Sequence, residues 1–374
     1  MASIVRTCAW LVVSTAAATV TAQQTAPQWR ASDAPIVRIT YEEGFAQIVS
    51  AGFLGDGSIF VGDVQHAKVL LFDSTGRLVH SIGRKGGGPA EFQNLQWVRA
   101  YGRDSIATYD AAQRRVSILD RNGRFARSVT LLSPTEGLSP TAAAVLDDGH
   151  IIVRVQRPVS SEVPPGVHPV PLELWTYSPS GAPLNRLVGN LVGEEWVKLA
   201  TPRVLMSRPF ATLSLVAIGP NHIYIADSAS FPVRVLSAPS GTTTRIDGTR
   251  TTPIASGPHL AAYREQRLSA ARASSNTNAL SLETRMLDAI PFPSHVPQLS
   301  KLLVDTDGRV LAQQYPEPDW RRQQYLVYSP TGALVARLTG PERASVVAVR
   351  GDRVLVIRRD ADDVQNVEVH TIQR

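Results

Sequence analysis

Cysteine is all but missing from this chain of 374 residues: there is one, Cys8. It falls in an N-terminal segment expected to be cut away, so the working fold has no disulfide and must hold by burial alone. Lysine is nearly as scarce. It stands only at Lys68, Lys85, Lys198 and Lys301, which leaves 34 of the 38 basic residues as arginine. The formal charge is +6, but no basic run concentrates it, which argues against nucleic acid and for a dispersed arginine surface. The eight histidines contain no His-x-His or His-x-x-x-His pair, so a zinc site has no support from spacing. No Gly-x-Ser-x-Gly elbow occurs, and without Cys8 no thiol nucleophile remains. Past the first 22 residues no apolar run approaches the length of a membrane span.

What is present begins at the N-terminus. Arg6, an apolar stretch from Ala9 to Val20 and the small-x-small sequence Val20-Thr21-Ala22 form the three parts of a secretory signal peptide. Cleavage is expected after Ala22, so residues 1–22 are the signal and 23–34 a linker. Arg6 spoils the lipobox that Cys8 would need. The expected location is the periplasm or the cell exterior.

Residues 35–374 read as one all-β domain built from a repeat. The first unit runs through an Asp56-Gly57 turn, Ser58 to Asp63, Lys68 to Phe72 and an Asp73-Ser74-Thr75-Gly76 turn. The second repeats it with Ser105 to Asp110, Arg115 to Leu119 and Asp120-Arg121-Asn122-Gly123. Gly76 and Gly123 are 47 residues apart, the size of a four-stranded propeller blade. Further units recur around Asp148-Gly149, Pro220-Asn221 and Asp307-Gly308, and a last begins at Ser345 with three strands. The pattern predicts a six-bladed β-propeller of four-stranded antiparallel blades. Strand Ile36 to Thr40 is expected to complete the sixth blade by pairing with the strand near Val367 to Ile372, since an open sheet edge is costly. A monomer is expected.

The first inter-blade loop, Ile82-Gly83-Arg84-Lys85-Gly86-Gly87-Gly88-Pro89-Ala90-Glu91-Phe92, carries a resemblance. With Val61-Gly62-Asp63 and Leu71-Phe72-Asp73-Ser74-Thr75-Gly76, it resembles NHL-type repeats and the secreted bacterial six-bladed β-propeller proteins that share them. The match covers blades one and two, and it implies fold much more than activity. The glycines suggest a phosphate cradle, yet the loop lacks Gly-Lys-Ser/Thr and leads into a strand, so it reads as a bend between blades.

In a blade of alternating strands, the loops joining strands two and three share a face with the connections between blades. Every long insertion belongs to that face: 82–94, 157–171, 190–210, 251–293 and 315–324. A rigid scaffold bearing long loops on one side places its binding site there. The longest insertion predicts helix over about 257–290, between blades four and five, from Gly257-Pro258 and the stripes Leu260, Tyr263, Leu268 and Leu282, Met286, Leu287, Ile290.

The candidate ligand contacts on this face are Arg84, Lys85, Trp196, Arg203, Arg208, Tyr263, Arg264, Trp320, Arg321 and Arg322. Aromatic stacking and arginine recognition of carboxylate or sulfate suit a noncatalytic module for a protein, peptide or glycan. Two other readings stay open: a lactonase-like or glycan-degrading hydrolase or lyase with a metal or carboxylates at the channel mouth, and a structural envelope protein. Asp63, Asp110 and Asp227 end second strands in register and are the weak metal candidates, for which calcium would be the fitting ion. Their repetition fits better with caps on the following turns, and Gln156, Gln313 and Arg358 interrupt the ring. No cofactor is expected.

Overall fold

The computed structural model describes residues 26–374 except 158, 238–241, 248–252, 320 and 361. The fold is propeller-like and all-β apart from two helices; among the described residues three sheets have four antiparallel strands, one has five, one has nine with a single parallel pairing, and Ile254–Ala255 pairs with His295–Val296 as a two-stranded ribbon. The first sheet takes Ile48–Phe53, Ile59–Asp63, Lys68–Phe72 and Leu78–Ile82, and the second takes Leu95–Tyr101, Ser105–Asp110, Arg115–Leu119 and Phe125–Thr130. The third has five strands, Ser139–Val145, Ile151–Gln156, Gly166–Tyr177, Pro183–Lys198 and Leu205–Ser207. The fourth comprises Ser214–Ile218, His222–Asp227, Ser230–Ser237 and Thr243–Ile246. A fifth group, Leu299–Val304, Val310–Gln314, Arg322–Tyr328 and Leu334–Glu342, precedes a last group, Ala344–Arg350, Arg353–Arg359 and Gln365–Gln373.

The segment 157–171, expected to be a loop, is only partly one. Gly166–Tyr177 and Pro183–Lys198 form a ribbon paired from Tyr177↔Pro183 out to Gly166↔Lys198, longer than the other strands of that sheet. Val170, Leu172 and Leu174, buried at alternate positions, supply the alternation that lets the ribbon continue, and Pro171 is accommodated beside a register shift.

Apolar residues on both faces of each sheet meet those of the next, so the core is a series of slabs between sheets. One joins the first and second sheets through Phe60, Val69, Phe92 and Leu95; others join the second to the third, the third to the fourth, the fourth to the fifth group, and the fifth to the last. The slab between the last group and the first sheet contains Ile39, Phe45, Val61, Phe72, Leu355 and Val367. Each fully buried Leu, Val or Phe contributes about 1.5–3 kcal/mol relative to exposure.

Backbone and side chain links follow the same order. Val98 N donates to Ser50 Oγ at 2.7 Å, Trp97 Nε1 to Ala142 O at 2.7 Å, and Val192 N to Ser214 Oγ at 3.0 Å. Leu299 N donates to Ser228 O at 2.9 Å, Val346 N to Gln323 Oε1 at 3.2 Å, and Ile48 N to Gln365 Oε1 at 2.6 Å.

The N-terminal chain closes the last group. Val37–Ile39 pairs antiparallel with its third strand in the register Val37↔Val369, Arg38↔Glu368 and Ile39↔Val367, as the edge argument predicts. Gln28–Ala31, inside the segment expected to be a linker, is also a strand. It runs parallel to Leu334–Glu342 and antiparallel to Gln365–Gln373, joining the fifth and last groups into one sheet.

Helices α1 (Gly257–Ala273) and α2 (Ala279–Ala289) lie between the fourth sheet and the fifth group in sequence. Leu287 and Ile290 pack on Val197 and Leu199, at the outer end of the long ribbon. His259 Nε2 bonds Pro316 O at 2.9 Å, which ties α1 to the fifth group. Among the described residues no helix is long and apolar enough to cross a membrane.

Candidate functional site

A cleft of about 420 Å³ opens where the fifth and last groups meet under the N-terminal segment. It lies on the side reached by the second strand ends and inter-sheet connections, the face expected to carry function. Its floor is built by strand pairing: Glu368 sits opposite Arg38 and opposite Val356, so one buried carboxylate faces cations from two strands. Glu368 is 2% exposed. Arg358 Nε reaches it at 2.9 Å, Arg38 Nη2 at 3.2 Å, and His370 Nε2 at 3.2 Å. The hydrogen bond from His370 acts first and that from Arg358 with it; they outweigh burial and hold the Glu368 carboxyl at about 2. His370 is itself wholly buried and its Nδ1 donates to Ser32 O at 2.7 Å.

The walls are also charged. Arg322 donates to Asp33 at 2.7 Å and to Gly340 O at 3.3 Å, with Glu342 3.8 Å away. The Arg322 hydrogen bond holds the Asp33 carboxyl below the usual carboxylate range. Arg358 also donates through Nη1 to Glu342 O. Arg343 differs from these. Its backbone is in the left-handed region (φ 49°), its side chain is exposed at the cleft, and among the described residues it has no side chain partner. A non-glycine residue in that conformation costs about 1 kcal/mol or more, and such strain gathers at functional sites. Four arginines less three carboxylates, Asp33, Glu342 and Glu368, leave the lining at +1. The cleft can take a carboxylate or similar anion through the free Arg343 fork and the outward edges of Arg38 and Arg322.

Of the sequence-predicted contacts among the described residues, only Arg322 lines this cleft. Arg84 pairs with Glu91 at 2.6 Å, and Lys85 donates to Gln93 O at 2.6 Å, both within the glycine-rich loop. Glu91 accepts from Gly88 N at 2.8 Å and Arg115 donates to Gly87 O, Gly88 O and Glu91 O, so the loop's own groups fill it. Arg208 bridges Glu195 (2.8 Å) and Pro291 O (2.9 Å), fastening the helical insertion to the ribbon. Arg264 donates to Leu287 O and Asp288, locking α1 to α2. Tyr263 is packed in an aromatic group with Phe210 and Phe292. Trp196 donates to Glu194 at 2.7 Å, Arg321 pairs with Asp319 at 3.2 Å, and Arg203 is exposed. Trp320 lies outside the described residues.

The three aspartates behave as caps. Asp63, wholly buried, accepts from the amides of Ala46, Gln47, Gln65 and His66 and from the His66 ring. Asp110 accepts from Gln93 N at 2.6 Å, Asn94 N at 3.2 Å and Gln113 N at 3.1 Å. Asp227 is exposed and bonds Ala229 N; its buried neighbour Ser228 takes the amide of Leu213 instead. Among the described residues no three His, Cys, Asp or Glu side chains gather as a metal site would require.

With this geometry in view, comparison with known proteins speaks to the fold. The family model DUF5128, described as a 6-bladed beta-propeller, matches residues 42–131. A member of the DUF4221 family from Bacteroides vulgatus superposes with a TM-score of 0.56 at 10% identity, covering 94% of this chain and 100% of that one. A protein of Bacteroides fragilis whose name calls it exported gives 0.48 at 12% identity over 94% and 99%. The calcium-binding protein regucalcin of Agrobacterium tumefaciens gives 0.45 at 10% identity over 93% and 97%. No curated protein sequence matches the chain. Likenesses at such identity carry fold and leave the cleft to be read from its own residues.

Proposed function

We propose that this is an exported six-bladed β-propeller of NHL-like type, with its helical insertion between blades four and five, that works as a noncatalytic binding module for a carboxylate-bearing peptide or glycan. The observation that carries this reading is the unpartnered Arg343, held in a strained backbone at the mouth of an arginine-lined cleft. Arg343 supplies a two-pronged donor, and the shortage of counter-charge in the lining favours an anion over a neutral group. The neighbouring ion pairs of Arg322 and Arg38 keep the remaining donors fixed, so little side chain entropy is lost on capture.

The test is calorimetric titration with two probes, oligogalacturonate and a peptide ending in a free carboxylate, each beside its methyl ester. At least one free acid is expected to bind and its ester to fail, with Arg343→Ala weakening the acid about tenfold or more while the melting temperature holds. Equal binding of acid and ester, or an unchanged affinity in Arg343→Ala, overturns the reading.

A further inference from the structure

The bend beside the cleft brings a carboxylate of its own to the lining. Residues 33–35 cross between two anchored points. Ser32 donates its amide to Thr371 O at 2.8 Å and accepts from His370 on its carbonyl, and Ile36 donates its amide to Val369 O at 2.8 Å. Asp33 lies in this bend and lines the cleft, with 62% of its side chain exposed. Its Oδ1 accepts from Arg322 Nη2 at 2.7 Å and its Oδ2 from Arg30 Nη2 at 2.9 Å.

Arg322 is the better fixed of the partners. Its side chain is 25% exposed, and its Nη1 donates to Gly340 O at 3.3 Å while Nη2 serves Asp33. Rotation of Asp33 about its own side chain bonds uncovers that donor and leaves Arg322 held by Gly340. Water competes for both members of so exposed an ion pair, which makes it weak, and a ligand carboxylate can replace the Asp33 carboxylate like for like.

The exchange also changes the charge. With Asp33 turned out, four arginines face two carboxylates, Glu342 and Glu368, and the lining rises from +1 to +2. The two free donors are neighbours. Arg322 is directly opposite Glu342 in the strand pairing, and Arg343 is the next residue along. Paired residues have Cβ atoms about 4.5–5.5 Å apart, so the two guanidinium groups are rooted side by side. That suits two carboxylates a few bonds apart on one residue better than carboxylates carried on successive sugar rings.

We infer that, within the carboxylate reading of the cleft on which this rests, Asp33 holds the place of a second ligand carboxylate. The ligand is the acidic C-terminal residue of a peptide, with one carboxylate on Arg343 and the other on Arg322 in place of Asp33.

The test is calorimetric titration of the full mature protein with two peptides that differ only in a last residue of glutamate or glutamine, both with free C-termini, and with digalacturonate beside them. The wild type should bind the glutamate peptide about threefold tighter than the glutamine peptide. Asp33→Asn should widen that gap by a further factor of about two to five. Glu342→Gln adds the same single charge to the lining, but Glu342 is 3.8 Å from Arg322 and occupies none of its hydrogen bonds, so this variant should tighten both peptides alike. Both side chains are exposed, and melting temperatures should match the wild type. Equal binding of the two peptides by the wild type overturns the inference, as does a gap that Asp33→Asn leaves unchanged or that Glu342→Gln widens as much. An Asp33 effect on digalacturonate and not on the peptide overturns the choice of ligand. A glutamine peptide or digalacturonate that binds, with no gain from the glutamate, leaves the cleft reading standing and removes this inference alone; failure of all three probes removes both.

Discussion

Glu368 offers the sharpest test of how the ring is held shut. It is buried at the strand pairing between the two ends of the chain, and its carboxyl lies at about 2 where 4.5 is ordinary. At 1.36 kcal/mol per pKa unit, that difference corresponds to roughly 3 kcal/mol of stability at neutral pH. The folded value is depressed, so the contribution is whole above pH about 4.5 and disappears as pH falls through about 2. Glu368→Gln keeps the shape and removes the charge, leaving Arg358, Arg38 and His370 facing a neutral amide. Urea denaturation should show the variant roughly 3 kcal/mol less stable at pH 7, with the gap narrowing at pH 4 and smaller again at pH 3. A gap of equal size at pH 7 and pH 3 would refute the electrostatic account, because a packing defect does not titrate.

Three other outcomes follow from the same structure. Asp63→Ala and Asp110→Ala each strand several part-buried amides and should cost about 1–3 kcal/mol by chemical denaturation, while chelator should leave the wild-type melting temperature in place. Gly181, at φ 87° with a Cβ that would collide with Thr130 O, should not accept alanine: Gly181→Ala is expected to lose about 1–3 kcal/mol, and a neutral result would mean the turn can shift. Removal of residues 26–40 uncovers the edge at Gln365–Gln373 and strips Ala31 and Ile39 from their slabs, so the truncated protein should aggregate or melt far lower, as scattering and calorimetry would report.

The repeat was legible because its signals are local. Two-residue alternation, Asp-Gly turns and the spacing from Gly76 to Gly123 are read within one unit, and the strands Ser58 to Asp63 and Ser105 to Asp110 lie where that pattern puts them. The pairing of Val37–Ile39 with the C-terminal strand was legible too, since an incomplete sheet needs a partner. The long ribbon was obscured because Pro164, Pro165, Pro169 and Pro171 read as loop, whereas pairing to Glu194 and its neighbours carries the strand through the last two. The cleft was harder still. Asp33, Arg38, Arg322, Arg343 and Glu368 come from four distant stretches and meet only through pairing. Arg358 drew notice for interrupting the row of aspartates, but its partner Glu368 gave no signal beyond its place two residues before His370.

That interruption has a bearing on how a ring of near-identical units avoids being assembled out of order. At the junctions capped by Asp63, Asp110 and Ser228 the side chain is an acceptor and the incoming chain offers an amide. At the junction into the last group the polarity is reversed: Arg358 donates, and Glu342 offers its carbonyl. A unit slipped by one place would bring donor against donor or acceptor against acceptor at this junction, so the penalty for miscounting is written into one hydrogen bond. Repeats of this kind multiply easily by duplication where their junctions are interchangeable; a junction of opposite polarity marks one place at which a slipped count is penalised.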